Sequence, residues 1–382
     1  LLPAIAALFL YNGALMFGFV QFVFSIGVAL IFYACWILTD KAAVVTRLAM
    51  FSALTTVLYV FHMFGFGLYL LAVAGYELQR KIEQFVAARG RPGRAWWRGA
   101  LTDAMISMVQ IVPSAVLFLM SASTSAAVDR SASASLFNKV EAIAALVFFA
   151  SPRWELPLLA ATAILVSAAF LLRMVRINSS QILVLALLAL AFLIMPRTLL
   201  GSGYASYRMP SGAIFFFIAA LSGVPEVKRQ DWLRALSIAA SIILAIRLAV
   251  IMMAWSIYQP LLAEYDAVAS AVPLHAKLLV VEGTTGSVSA DRAPPFTHLP
   301  ALMAGRRAIF VPYVFTGVNG TQIRVAPDVR PLMGISPLAH LPQDLSPFEY
   351  LMIIRPETIP IPVGFNGHLI ASGSSFKLFA LR

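Results

Sequence analysis

Charged side chains are scarce in this chain. They make up 12% of its 382 residues, about half the ~25% usual for a soluble domain. Residues 1–39 hold none, and Asp40 is the first. Such a composition excludes an ordinary water-soluble enzyme. Cysteine is scarcer still. Cys35 stands alone, which excludes an internal disulfide, and no CxxC or other metal-ligand spacing occurs. No G-x-G-x-x-G, P-loop or G-x-S-x-G is present, which removes the obvious nucleotide-binding and acyl-transfer classes. The basic n-region of a signal peptide is also missing. The opening Leu1-Leu2-Pro3 is expected to lie inside a longer natural chain.

What the chain has instead is apolar length. It is 60% hydrophobic with a mean hydropathy of +0.86. Uncharged runs recur through the first 258 residues, and several exceed the ~20 residues that span a bilayer. They are too apolar and too many for outer-membrane strands, so they read as helices. The expected fold is mainly α. A polytopic bundle of about 8–10 membrane helices, some short and paired, occupies 1–258. From 259 charge, proline and glycine rise. The segments AKLLVVEG, AIFVPYVF, TQIRVAP, YLMIIRP, HLIASG and FKLFALR read as strands, with HLPALMAGR as a helix. Residues 259–382 are thus expected to form an extracytoplasmic α/β domain.

The net charge is +11, but the basic residues sit mostly in short loops. There they report topology and contact with anionic lipid rather than nucleic acid. The segment QRKIEQFVAARGRPGRAWWRGA carries six basic residues against one acid, Glu83, and reads as cytoplasmic. Alternation then puts STSAAVDRSASASLFN outside, Arg173 and Arg176 inside, GSGYASYR outside, and Lys228, Arg229 and Arg234 inside. Spans fall at about 101–123, 155–174, 181–199, 211–224 and 233–258, with 138–151 as an interfacial helix.

Four residues, MFGF, occur twice: Met16–Phe19 and Met63–Phe66. Asn12 precedes the first copy and His62 the second. Residues 1–39 are too long for one span and read as two short crossings joined near Asn12-Gly13. Residues 48–76 form either one tilted helix or two short ones meeting at His62–Gly67. Both breaks are expected to face one outer cavity, where irregular backbone is tolerated.

Few polar residues remain that might carry chemistry. Arg247 lies mid-helix in SIILAIRLAVIMMAW, where a charge usually faces a cavity or partner. It reads either as a guanidinium for a lipid phosphate or as a structurally paired arginine. Arg197 and Arg208, with Tyr204 and Tyr207, form a cationic, hydrogen-bonding patch around one outer loop. Anion capture and interfacial anchoring are both open there. His62 is either a packing residue or a weak catalytic candidate. Asn12 is a phosphate-binding candidate and also a turn signal. Lys139 and Glu141 read as an exposed pair, and Asp129 and Glu155 as isolated acids. No carboxylate stands out as a catalyst, no cofactor is expected, and nothing supports a divalent cation or other metal.

The patterns LLPAIAALFLYNGALMFGFVQFVFSIGVAL and FHMFGFGLYLLAVAGYELQR, the Arg247 and Trp255 pair, and HLPALMAGRRAIFVPYVFT with a late EYLMIIRP resemble a group of bacterial polytopic membrane proteins. That group is similar to the GT-C glycosyltransferase superfamily. The resemblance implies a multi-pass protein of the inner membrane. It would move a sugar from a polyprenyl-phosphate donor to an envelope glycan, lipid or protein at the outer face. It also implies a catalytic acid in a first external loop. No such loop is found here, so the catalytic residue is expected upstream of Leu1. Arg197, Arg208, Arg247 and His62 would neutralise the departing phosphate. Two alternatives stay open: a non-catalytic assembly subunit with a protein partner at the outer domain, and a lipid or glycan transporter.

Overall fold

A computed structural model describes residues 1–16, 18–90, 93–120, 135–147, 152–197, 199, 204–224, 230–283, 299–312, 344–359 and 365–381. It is mainly helical, with a small sheet near the C-terminus. Among the described residues, five helical stretches are long and apolar enough to cross a membrane: Val20–Leu38, Val44–Phe61, Trp96–Met120, Arg153–Leu171 and Gln230–Ser270. The chain divides into two units, Leu1–Leu248 and Ala249–Arg382.

The first unit opens with two short helices, α1 (Leu2–Leu8) and α2 (Gly13–Met16), before α3 (Val20–Leu38). Of the two crossings expected within 1–39, only α3 is long and apolar enough to span a membrane. The seven residues of α1 reach only about 10 Å at 1.5 Å per residue. The Asn-Gly signal marks a turn between short helices, and Gly18 (φ 78°) makes a second turn before α3.

The second apolar run does break, at His62, which lies in extended conformation (φ −169°, ψ 123°) between α4 (Val44–Phe61) and α5 (Met63–Ala87). These helices hold 18 and 25 residues, about 27 and 38 Å long, not the short halves that the apolar run alone implied. Helix α5 continues through QRKIEQF because its charges find partners. Arg80 pairs with Asp40, with Glu77 (2.7 Å) and with Asp103 (2.6 Å), and Lys81 also pairs with Asp103 (2.6 Å).

Side-chain contacts give the helix directions. Phe24 meets Phe61 (ring centroids 5.6 Å apart), Phe22 meets His62 (5.3 Å), and the Trp36 indole donates to Glu77 (2.9 Å). Arg47 lies 4.2 Å over the Trp36 ring. So α3 and α5 run parallel, with α4 antiparallel to both. His62 marks one end of the trio. The Asp40, Arg47 and Arg80 ion network marks the other.

Helix α5 occupies the centre. Its Phe64, Leu68, Tyr69, Ala72 and Val73 are buried in one cluster with residues of α3, α4, α10 (Ile182–Ile194) and α11 (Ala205–Ala219). Two glycines of α5 permit the contact. A Cβ on Gly75 would lie 2.6 Å from the Val184 Cα of α10, and one on Gly65 would lie 2.6 Å from the Ser25 Cβ of α3. Helices α6 (Arg94–Val109) and α7 (Val112–Met120) join at Gln110, whose Oε1 accepts from the Tyr69 hydroxyl (3.1 Å). The short α8 (Leu136–Ala144) and the longer α9 (Pro152–Leu171) follow. The segment 211–224, expected as a span, instead starts inside α11 and ends in a strand. That strand, β2 (Leu221–Gly223), pairs antiparallel with β1 (Val175–Ile177). The ladder pairs the strands' own backbone groups, and Asn178 N to Ala220 O and Val224 N to Met174 O (3.0 Å each) extend it at both ends.

Helix α12 (Gln230–Ser270) runs 41 residues without interruption. The boundary read at 258/259 from composition falls inside it. At about 61 Å it is twice the ~30 Å hydrocarbon thickness. In the second unit its last turns cover a four-stranded sheet of order β3-β4-β6-β5. Strands β3 (Leu278–Glu282) and β4 (Tyr350–Ile354) are parallel. Strand β6 (Phe376–Ala380) is antiparallel to β4 and to β5 (His368–Ser372). Alternate residues serve opposite faces, as a period of two requires. Leu278, Val280, Met352 and Ile354 pack with Tyr265, Val272 and α13 (Leu299–Arg307). Leu279, Val281, Leu351 and Ile353 pack with Phe348 and Phe379. The strand expected at TQIRVAP lies outside the described residues, as does the end of AIFVPYVF, whose described part contributes a bridge, Lys277 to Phe310. Glu264 of α12 ties on the β5–β6 turn by accepting from Ser375 N (2.6 Å) and the Ser374 hydroxyl (2.6 Å).

Two outcomes follow from this packing. Gly75→Ala should lower stability by about 1–3 kcal/mol in denaturant unfolding in micelles, because its contact is backbone. Gly67→Ala, with open space at its Cβ, should be neutral or gain up to about 1 kcal/mol. In the second unit, burial raises the Glu282 carboxyl above its usual value of 4.5, with Arg355 only partly offsetting it. A raised folded value means that the folded unit holds its proton more readily than the unfolded chain. Stability is then greatest below the ordinary glutamate value and falls as pH rises through the raised one. Glu282→Gln should flatten that fall, read as amide exchange of β3 corrected for intrinsic rates. An unchanged slope would count against the assignment.

Candidate phosphate-binding site

The site begins with backbone. Tyr204 adopts the left-handed conformation (φ 58°, ψ 27°) and starts α11. The reversal lets Ala205 N donate to Arg197 O (2.8 Å). It also places Tyr204, Tyr207 and Arg208 in or beside the first turn.

Arg208 is buried, and its guanidinium lies between two rings, 4.1 Å from the Phe19 centroid and 4.9 Å from that of Phe64. Each ring comes from one MFGF copy. Phe19 follows the Gly18 turn. Phe64 sits in the first turn of α5, just after the His62 break. The two interruptions therefore converge on one arginine. A desolvated guanidinium on an aromatic face gains about 2 kcal/mol from the contact.

His62 packs against Phe22 (5.3 Å) and Phe64 (5.9 Å) and interacts electrostatically with Arg208. Its Nδ1 accepts from Phe64 N (3.1 Å) and caps α5. That bond places the proton of the neutral ring on Nε2, so the free nitrogen is a donor. A general-base role is thereby disfavoured, and a hydrogen bond to an anion is favoured.

Tyr204 and Tyr207 meet edge to face (5.6 Å), Tyr204 reaches Phe19 (6.4 Å), and exposed Arg197 lies 6.0 Å from the Tyr204 ring. Tyr207 shares a side-chain hydrogen bond with Glu141 of α8. Lys139 of the same helix is buried, not exposed as expected. Its Nζ donates to Phe192 O and Met195 O (2.5 Å each). An ammonium there satisfies the free carbonyls and the dipole at the α10 C-terminus, and it locks α8 beside the patch.

Thus His62, Arg197, Tyr204, Tyr207 and Arg208 come together. Asn12 and Arg247 do not join them. Asn12 is fully buried, donating to Phe9 O (2.9 Å) and accepting from Leu15 N (3.1 Å), which caps α2. Arg247 is 1% exposed. It donates to Tyr11 O and to Val147 O (2.9 Å), and Glu155, also fully buried, acts on it electrostatically. Both side chains are turned to the protein's own interior. Glu155, read as isolated, is the charge partner that Arg247 needed. A lone acid heading an apolar helix was the only signal for it. Among the described residues no group of three or more His, Cys, Asp or Glu could hold a metal ion.

No family model, curated protein or solved structure matches this chain.

If Arg247 and Glu155 form a buried pair, Arg247→Ala or Glu155→Ala alone should each cost about 3–5 kcal/mol, because the remaining charge is stranded. The double variant should lose clearly less than the sum. Additive losses in micelle unfolding experiments would refute the pairing.

Proposed function

We propose that this chain is an integral inner-membrane protein resembling a GT-C glycosyltransferase. It handles a polyprenyl-phosphate-linked sugar at the outer face, with the Arg208 cluster as the seat of the lipid phosphate. The observation that carries this reading is the guanidinium held between Phe19 and Phe64, with His62 against Phe64 and with Tyr204 on Phe19 linking Tyr207 and Arg197 to the cluster.

The chemistry matches a prenyl phosphate at both ends. Guanidinium, phenol and imidazole N–H groups hydrogen-bond phosphate oxygens. Aromatic faces accept the isoprenoid chain. When the glycosidic bond breaks, the phosphate gains charge, and preorganised donors in a low-dielectric site stabilise that charge most. Orientation follows from the opposite end of the bundle. Arg47, Arg80 and Lys81 lie there, followed by the basic 89–98 segment, and the positive-inside bias assigns such an end to the cytoplasm. The Arg208 end then faces outward. Asn12 and Arg247 support the fold around the site and take no part in binding.

A second reading, a subunit that binds the lipid without catalysis, is favoured by one observation. The carboxylate facing the cluster, Glu141, is already engaged by Tyr207.

Binding is the first test. Undecaprenyl phosphate titrated onto the purified full chain should bind about 10–100-fold more weakly to Arg208→Gln, the worth of one charge-assisted bond. Native mass spectrometry reads the bound fraction, and circular dichroism checks the fold. Equal affinity in a folded variant would remove Arg208 from the site.

A further inference from the structure

The other end of the bundle carries a separate feature that the Arg208 cluster does not use. Helix α5 ends in a left-handed pair, Arg89 (φ 51°) and Gly90 (φ 70°). Gly90 N donates to Phe85 O (3.1 Å), which closes the helix. Helix α6 then starts after Gly93 with Arg94-Ala95-Trp96-Trp97-Arg98.

The rings of Phe85, Trp96 and Trp97 form a chain, with centroids 5.9 and 4.7 Å apart. Trp97 is 60% exposed and Val86 68%. Arg94 and Arg98 are exposed, one helical turn apart on either side of Trp97, and Arg89 is nearby in sequence.

Charge accounting separates these arginines from their neighbours. Arg80 and Lys81 are committed to Asp40, Glu77 and Asp103. Among the described residues Arg89, Arg94 and Arg98 make no ion pair. The sequence from 84 to 102 offers them no acid, since Asp103 is engaged. A membrane-length apolar stretch, Trp96–Met120, starts at this point. Tryptophans and arginines at the mouth of a span sit at head-group level, where indole rings are half-solvated and guanidinium forks reach phosphate oxygens.

We propose that the α5–α6 elbow is a binding surface for anionic bilayer lipid. It would hold a phosphatidylglycerol-like phosphodiester between Arg94 and Arg98, with the acyl chains against Trp97, Val86 and Phe85. The surface is independent of the polyprenyl-phosphate site, at the opposite end of α5. Its partner is set by charge. A zwitterionic head group carries its own ammonium and gains less than an anionic one does from three guanidiniums that make no ion pair among the described residues.

The test uses the full chain in vesicles of phosphatidylcholine containing either brominated phosphatidylglycerol or brominated phosphatidylcholine. Bromine quenches nearby tryptophan. The wild type should show stronger quenching by the brominated phosphatidylglycerol at low salt, and that excess should shrink at high salt. In Arg94→Gln/Arg98→Gln the relative affinity for the anionic lipid should fall about fivefold per arginine removed. Arg234→Gln, an exposed arginine elsewhere, should leave it unchanged. Equal quenching by the two lipids in the wild type would overturn the proposal, even if the double variant fails to fold. So would an unchanged preference in a folded double variant.

Discussion

The close approach of α5 to its neighbours is the constraint on which the first unit depends. In a bilayer, apolar side chains gain little by leaving lipid for one another, so helices associate where small residues let backbones touch. Gly75 against Val184 and Gly65 against Ser25 meet that need on two sides, and Gly212 of α11 makes room for Leu68 on a third. With α5 fixed at the centre, α3 and α4 take their directions from it. The His62 break becomes a sharp reversal instead of a kink.

That reversal produces the candidate site. A continuous helix through residue 62 would carry Phe64 away from the end of the bundle. The break starts α5 there, with His62 as its cap, so Phe64 faces Arg208. On the other side the Gly18 turn delivers Phe19. The repeated MFGF thus serves two purposes: in the first copy its glycine turns the chain, and in the second it lets helices touch. The buried arginine between the rings is costly to desolvate. A cation kept at that cost at one end of an apolar bundle, ringed by phenols and an imidazole donor, is an arrangement suited to an anion with a greasy tail.

Much of this was legible in the residues, and the failures have definite causes. The break at His62 was visible because 48–76 suits no simple span and glycines cluster beside it. The grouping of Arg197, Tyr204, Tyr207 and Arg208 followed from their nearness in sequence, and His62 from its rarity. The strands β3 to β6 followed from short, mostly apolar runs between turn residues. Residues 1–39 were divided wrongly because Asn-Gly marks a turn without saying how long the helices beside it are. The ends of α5 and α12 were missed because a charged or mixed composition was read as loop. Arg80's pairs with Asp40 and Asp103 and the packing of Tyr265 on Phe376 help carry each helix onward, and those partners are distant in sequence. Lys139 and Glu155 were misjudged for the same reason, since a single sequence does not reveal which distant carbonyl or guanidinium a charge will meet.

The central claim is that the MFGF-framed arginine receives a lipid phosphate. It is tested most directly by a cryo-EM map of the full chain in nanodiscs loaded with undecaprenyl phosphate. The account predicts phosphate density within hydrogen-bonding distance of Arg208, contacts from Tyr204 or His62, and an isoprenoid tail running along Phe19. A map showing the phosphate elsewhere, with Arg208 still shut between Phe19 and Phe64, would contradict it.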